Sequence, residues 1–134
     1  MQVARRRVLA LGLGLAGVGA RAQAFPARTI RIVVPFGAGG LADLTARVVA
    51  ERLGQALGQA VVVDNRPGAG GVAAGEAVAR AEPDGHTLLL ISNGTAVSAS
   101  LFKSLPFDTL RDFAPISTLA TFDIVITCAK IPLQ

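Results

Sequence analysis

The sequence predicts an α/β fold in which a mostly parallel sheet is flanked by helices. Short apolar runs rich in β-branched residues alternate with stretches at helical spacing, in the order β-α-β-α-β-α-β-β. Strands that are apolar along their whole length are typical of a parallel sheet covered on both faces. Polar turns that contain glycine follow the first and third strands, where ligands bind in such sheets.

Each element has a local reason. The β-branched run Thr29–Val34 predicts the first strand, and Gly58 is placed to end the first helix. That helix, Leu41–Leu57, repeats apolar residues at roughly helical spacing, namely Leu41, Leu44, Val48, Ala50, Leu53 and Leu57. The further elements are strand Ala60–Asp64, helix Val72–Ala81, strand Thr87–Ile91, helix Ala96–Lys103, a helical turn at Thr109–Asp112, and strands Phe113–Leu119 and Phe122–Ala129.

Residues 1–24 resemble an export signal. Arg5-Arg6-Arg7 precedes the apolar run Val8–Val18, and Ala22-Gln23-Ala24 fits a cleavage site. The run is shorter than the roughly 20 residues that span a bilayer. We therefore expect a periplasmic protein cleaved after Ala24, with an α/β domain over residues 25–134. Because Arg5-Arg6-Arg7-Val8-Leu9 also fits the twin-arginine pattern, the twin-arginine and general secretory routes both stay open.

The formal net charge of +4 comes from the predicted signal. Four of the 13 basic residues lie in it, whereas all nine acidic residues follow it, so the remainder is neutral overall. The sequence contains no basic stripe, so we expect no nucleic acid as a partner. His86 and Cys128 are the only histidine and cysteine, and the carboxylates show no obvious pairing. We expect no catalytic residues, no metal site and no cofactor.

A glycine-rich turn joins the first strand to the first helix. Strand residues give way at Pro35 to Phe36-Gly37-Ala38-Gly39-Gly40, and the helical pattern then begins. Glycines let the backbone approach a ligand, and the first helical N–H groups are free donors reinforced by the helix dipole. The turn therefore predicts an anion site, although a tight connection that needs glycine for its geometry is the plain alternative. No P-loop lysine follows.

Three other features need an interpretation. Asp43 fits a favourable carboxylate in the first helical turn, or a group that holds the loop or a water from below. Gly68-Ala69-Gly70-Gly71-Val72-Ala73 formally satisfies G-x-G-x-x-A, but it does not directly follow the first strand and lacks the ribose-binding acid. His86, at a strand start, is expected to be a partly exposed structural residue.

Five segments, in order, resemble the tripartite tricarboxylate transporter substrate-binding receptors, also called the Bug family. They are Pro26 to Asp43, Val61 to Gly71, Pro83 to Leu89, Leu105 to Asp108, and Asp112 to Ile116. The resemblance implies a type II periplasmic-binding-protein fold of two domains. Only the first part of that fold is expected here, since the chain stops soon after the strand at Phe122–Ala129.

The resemblance also implies a function. The family grips a carboxylate through the first strand–helix loop, which maps onto Phe36, Gly37, Ala38, Gly39, Gly40 and Asp43, while Ser92, Asn93 and Thr95 would line the same cleft. The implied partners are a small organic acid or related anion and the membrane permease subunits, and the intact receptor is expected to be a monomer. Two alternatives stay open: a truncated product without function, or a nucleotide-binding α/β enzyme using Gly68–Gly71.

Overall fold

A computed structural model describes residues 24–121 as a parallel sheet with flanking helices. Its elements are β1 (Ile30–Val34), α1 (Leu41–Leu57), β2 (Val61–Asn65), a 3₁₀ turn (Ala69–Gly71), α2 (Val72–Ala79), β3 (Thr87–Leu89) and α3 (Asn93–Leu101). The predicted strand Phe122–Ala129 and residues 1–23 of the predicted signal lie outside the described residues.

The sheet has the strand order β2-β1-β3, and both pairings are parallel. Because parallel crossovers are right-handed, the step from β1 to β2 and the return step to β3 place α1 and α2 on opposite faces. Every helix begins just after a strand, so the amino-terminal ends of all three helices lie at the carboxyl edge of the sheet. The change of direction at β1 makes this edge a topological switch point.

The centre of the core is β1 and the inner face of α1. Ile32 and Val34 pack against Ala46 and Ala50, and all four side chains are buried. The two alanines let the helix axis approach the sheet closely. β1 is buried along nearly its whole length, as predicted for a central parallel strand. The edge strand β2 is less covered than predicted, since Val62 is 46% exposed.

The bounds of α1 and its end at Gly58 are confirmed, but part of its predicted apolar face is wrong. Gly58 adopts the left-handed conformation, with φ 65°. Leu41, Leu44 and Val48 are 76, 54 and 62% exposed, so this stripe faces solvent. The helix turns its alanine side to the sheet instead, because small residues permit the tighter approach.

The predicted strand Phe113–Leu119 is also wrong. These residues form no ladder with any strand in the described part of the chain, and Ile116 is 80% exposed. A strand exists only with a hydrogen-bonded neighbour, and the neighbour that the sequence pattern offers, Phe122–Ala129, lies beyond the described residues. The preceding segment is anchored by Phe107, whose buried ring packs on Gly75 of α2 and edge-to-face on Phe113.

His86 is buried, at 6% exposure, so its expected partial exposure is wrong. Its Nε2 accepts the Ala27 N–H at 3.2 Å, which leaves the proton on Nδ1, 3.2 Å from Asp84 Oδ2. Phe25 packs edge-to-face on the ring with centroids 5.0 Å apart. His86 thus fastens residues 25–27 to the turn before β3. No helix within residues 24–121 has the length and apolar character needed to cross a membrane.

Candidate functional site

The loop between β1 and α1 forms the first part of the candidate site. Pro35 is buried, whereas residues 36–40 are exposed. Gly39 has φ 85°, a left-handed conformation that a residue with a Cβ adopts only with strain. Gly40 caps α1 without any side-chain hydrogen bond. The first N–H groups of α1 therefore remain available as donors at the carboxyl edge of the sheet.

Asp43, in the first turn of α1, hydrogen-bonds to the loop and is 2% exposed. Its Oδ2 accepts the Gly39 N–H at 2.8 Å and the Arg47 Nε–H at 2.9 Å. The hydrogen bonds from Arg47 and Gly39 lower the pKa of Asp43 to about 2, so the carboxylate is ionised at neutral pH. The Gly39 N–H is consequently occupied by Asp43, and Gly39 contributes its backbone geometry to the loop rather than a free donor.

Two side chains that sequence reasoning missed complete the support of the loop. Asn65, the last residue of β2, donates from Nδ2 to the Phe36 carbonyl oxygen at 3.1 Å. Arg47 donates from Nη2 to Asn65 Oδ1 at 3.4 Å. The spacing of four residues between Asp43 and Arg47 on a helix was the available signal for one of these contacts. Nothing local indicates that Asn65 meets Phe36, since the contact depends on the pairing of β1 with β2.

The second part of the site is the amino-terminal end of α3. The sequence predicts a turn over Ser92–Thr95 and a helix from Ala96, but α3 begins at Asn93. Ser92 is therefore the cap, and it makes no side-chain capping hydrogen bond. Asn93 is exposed, whereas Thr95 is fully buried. The buried Thr95 hydroxyl has no hydrogen-bond partner among the described residues.

The fold brings these two segments together through Gly71. A Cβ placed on Gly71 would lie 2.7 Å from Thr95 Oγ1 and 3.1 Å from Pro35 Cβ, so the glycine sits where the end of β1 and the start of α3 converge. Two uncapped helix ends thus flank one switch point. Backbone N–H groups and helix dipoles can hold an anion there without a charged side chain.

Asp43 is the sole charged side chain among the predicted site residues, and its charge is matched by Arg47. Within residues 24–121, no group of three His, Cys, Asp or Glu side chains is arranged to hold a metal ion. A groove of about 550 Å³ lies elsewhere, between Ala99 and Thr109. The candidate site is accordingly an open edge lined by backbone donors rather than a closed cavity.

Residues 45–134 match the protein family described as TctC, Tripartite tricarboxylate transporter family receptor. The chain belongs to this family of tripartite tricarboxylate transporter receptors. The match begins at Thr45, so the glycine loop lies just before it. Individual proteins are also similar to this chain along most of its length. A UPF0065 protein of Bordetella pertussis is 47% identical over 119 residues, or 87% of this chain, and BugT of the same organism is 43% identical over 132 residues, or 95% of this chain.

Solved structures of similar chains agree with the fold. MatC from Rhodopseudomonas palustris, with bound malate, has a TM-score of 0.67 and 42% identity over 71% of this chain. Rpa4515 of R. palustris, with adipate, has a TM-score of 0.60 and 36% identity over 64% of this chain. These matches cover 33% and 29% of the two solved chains, respectively. The chain likewise spans 37% of the UPF0065 relative and 40% of BugT.

TctC receptors are periplasmic binding proteins and not enzymes, which overturns the nucleotide-enzyme alternative. The structure supplies a physical reason for the glycines of the segment Gly68–Gly71, the second glycine loop. Gly70 and Gly71 are both left-handed, with φ 59° and 82°, and both pack against α3. The Ser98 hydroxyl, which has one proton to share, lies 2.9 Å from the Gly70 carbonyl oxygen and 2.8 Å from that of Gly94. These glycines permit packing of the loop on a helix.

Proposed function

We propose that this chain is the anion-gripping part of a periplasmic receptor that binds a small organic acid and delivers it to a tripartite tricarboxylate-type permease. One observation carries the proposal: two helices begin without side-chain caps at the same switch point. Their free N–H groups, with those of Gly37, Ala38 and Gly40, match the oxygens of a carboxylate. The ligand class accords with relatives that were solved with malate and with adipate.

Exclusion of water sets the expected affinity. The described donors approach the ligand from one edge only, so bulk water competes for each carboxylate oxygen. Hydrogen bonds exposed in this way contribute little net free energy. We expect a Kd of about 1 mM for malate or adipate with this chain, corresponding to about −4 kcal/mol. Contacts from the rest of a full-length relative would tighten it.

The test is a titration of the purified chain with malate and adipate, followed by backbone amide chemical shifts. Binding should move the resonances of Ala38, Gly40 and Asn93. Gly39→Asp should abolish binding because it adds a negative charge to the loop, whereas Gly39→Asn, an uncharged variant of the same shape that tolerates left-handed backbone, should retain most of it. Unchanged spectra with both acids up to about 20 mM, some twentyfold above the expected Kd, would favour the truncated product without function.

Export requires its own test. The receptor acts in the periplasm if residues 1–24 direct export and are removed after Ala24. Amino-terminal sequencing of the chain from a periplasmic fraction should begin at Phe25. Replacement of Arg5 and Arg6 by lysine should block export through the twin-arginine route and leave general secretion intact, which distinguishes the two routes. Recovery of the unprocessed chain in the cytoplasm would overturn this part of the proposal.

A further inference from the structure

We propose that Asp43, Arg47 and Asn65 form a brace that holds the glycine loop in its anion-binding shape. They are positioning residues for the proposed site, so the inference rests on the proposed function. None of the three needs to touch the ligand. Their role is to fix the loop before the ligand arrives, which removes part of the ordering entropy from the binding step.

The brace ties down both ends of the loop. At its start, the Phe36 carbonyl oxygen accepts a hydrogen bond from Asn65 Nδ2 at 3.1 Å. Three residues later, the Gly39 N–H donates to Asp43 Oδ2 at 2.8 Å. Arg47 joins the two anchors, with Nε 2.9 Å from Asp43 Oδ2 and Nη2 3.4 Å from Asn65 Oδ1. The loop is therefore fastened to α1 and to the end of β2 at once.

The chemistry of the network permits only one arrangement. Arg47 has donors and no acceptor, so it must face the Asn65 oxygen and the Asp43 carboxylate. The Asn65 amide nitrogen must then face Phe36, whose carbonyl oxygen only accepts. Asp43 Oδ2, Asn65 Oδ1 and the Phe36 carbonyl oxygen each accept a hydrogen bond in this arrangement, whereas the buried Asp43 Oδ1 has no partner among the described residues. The direction of the Phe36 carbonyl is consequently fixed by a residue 29 positions away in the chain.

The brace also balances charge. A buried carboxylate beside an anion site would repel the ligand, and Asp43 is ionised. Arg47 lies directly against it, with its own side chain 53% exposed. The pair therefore shapes the loop while adding no net negative charge. Loss of Arg47 should weaken anion binding twice, through a looser loop and through an unbalanced carboxylate.

Three variants and a control separate these effects. Asn65→Leu, an uncharged change of similar size, removes the donor to Phe36 and the acceptor for Arg47 and leaves the charge of the site unchanged. Arg47→Gln removes the positive charge, and Arg47→Lys retains it without the forked geometry. Arg52→Gln on the same helix is the matched control, because the Arg52 side chain is exposed and makes no hydrogen bond or ion pair with any residue from 24 to 121. Amide hydrogen exchange at Ala38 and Gly39 is measured without ligand, the thermal midpoint is recorded, and each variant is titrated with malate.

We expect exchange at Gly39 to rise about tenfold in Asn65→Leu and Arg47→Gln, the factor equivalent to about 1.4 kcal/mol, and to stay unchanged in Arg52→Gln. Malate affinity should fall more in Arg47→Gln than in the charge-neutral Asn65→Leu, and Arg47→Lys should recover part of it. Unchanged loop exchange in both variants overturns the brace. Failure of the unaltered chain to bind malate or adipate overturns the proposed function instead, and the exchange data then decide the brace alone.

Discussion

Gly70→Ala should destabilise this protein far more than an ordinary glycine substitution. The backbone at Gly70 is left-handed, with φ 59°, and a methyl group there would overlap the Ser98 hydroxyl. Left-handed backbone costs an L-residue about 1 kcal/mol, and relief of the overlap, which displaces the Ser98 hydroxyl from its hydrogen bond or shifts α3, costs about 1–3 kcal/mol more. The sum, about 2–4 kcal/mol, is a large fraction of the stability of a small domain.

Gly58→Ala is the matched control for that change. Gly58 has nearly the same backbone, with φ 65°, but a methyl group there would meet nothing within 4 Å. It isolates the backbone effect, so we expect a loss of about 1 kcal/mol. Urea denaturation followed by circular dichroism gives the free energy of unfolding for both variants. Ser98→Ala added to Gly70→Ala should restore about 1–2 kcal/mol, since it removes the clashing oxygen.

Equal losses for Gly70→Ala and Gly58→Ala would refute the packing argument. They would mean that the second glycine loop does not press on α3, and its glycines would again need a ligand to explain them. A double variant that is no more stable than Gly70→Ala would contradict the specific role of the Ser98 hydroxyl. Both outcomes are read from the same denaturation curves.

The Phe107 anchor, the ionised carboxylates and the exposed stripe of α1 each lead to one more prediction. Phe107→Ala should lower the free energy of unfolding in urea by about 3–5 kcal/mol, because it removes the ring that packs on α2. Phe102 is half-exposed, so Phe102→Ala should lower it by less than about 1 kcal/mol. Similar losses for the two variants would contradict the anchoring role of Phe107. Stability should fall as the pH drops from about 4 towards 2, because the pKa of Asp43 and that of Asp84 are each lowered to about 2 in the fold. The stabilisation that both carboxylates give above pH 4 is lost when they are protonated. Asp43→Asn should flatten the dependence of the free energy of unfolding on pH, and an unchanged dependence would refute the assignment. Leu44→Gln should change the free energy of unfolding by less than about 0.5 kcal/mol because the side chain faces solvent, and a loss typical of a core residue would show that this stripe is covered.

Some of the site was within reach of the sequence. A strand that ends at Pro35, followed by three glycines and a helical pattern, locates an uncapped helix start from local residues alone. Ser92 also carries a local signal for the start of α3 at Asn93, since serine is among the preferred residues at a helix cap. The spacing of Asp43 and Arg47 similarly indicates an ion pair on one helix face.

The contacts that shape the site were out of reach. Whether the Gly39 N–H serves a ligand or Asp43 depends on where the first turn of α1 directs that carboxylate. The meeting of Asn65 with Phe36 depends on the register of β1 against β2, in which Val34 pairs with Asn65. In both cases the sequence offers several chemically suitable hydrogen-bond partners. Long-range packing decides which of them come within reach.

The sequence by itself determined the alternation of strands and helices, the length of α1, its end at Gly58 and the receptor family, because these depend on periodicity, cap residues and motif order within short windows. Tertiary structure alone decided that the alanine face of α1 covers the sheet, that residues 113–119 form no strand, and that the second glycine loop packs on a helix. The physical reason is the same throughout. Local conformation is set by neighbouring residues, whereas the surface that a residue buries is set by the partner that the whole fold places against it.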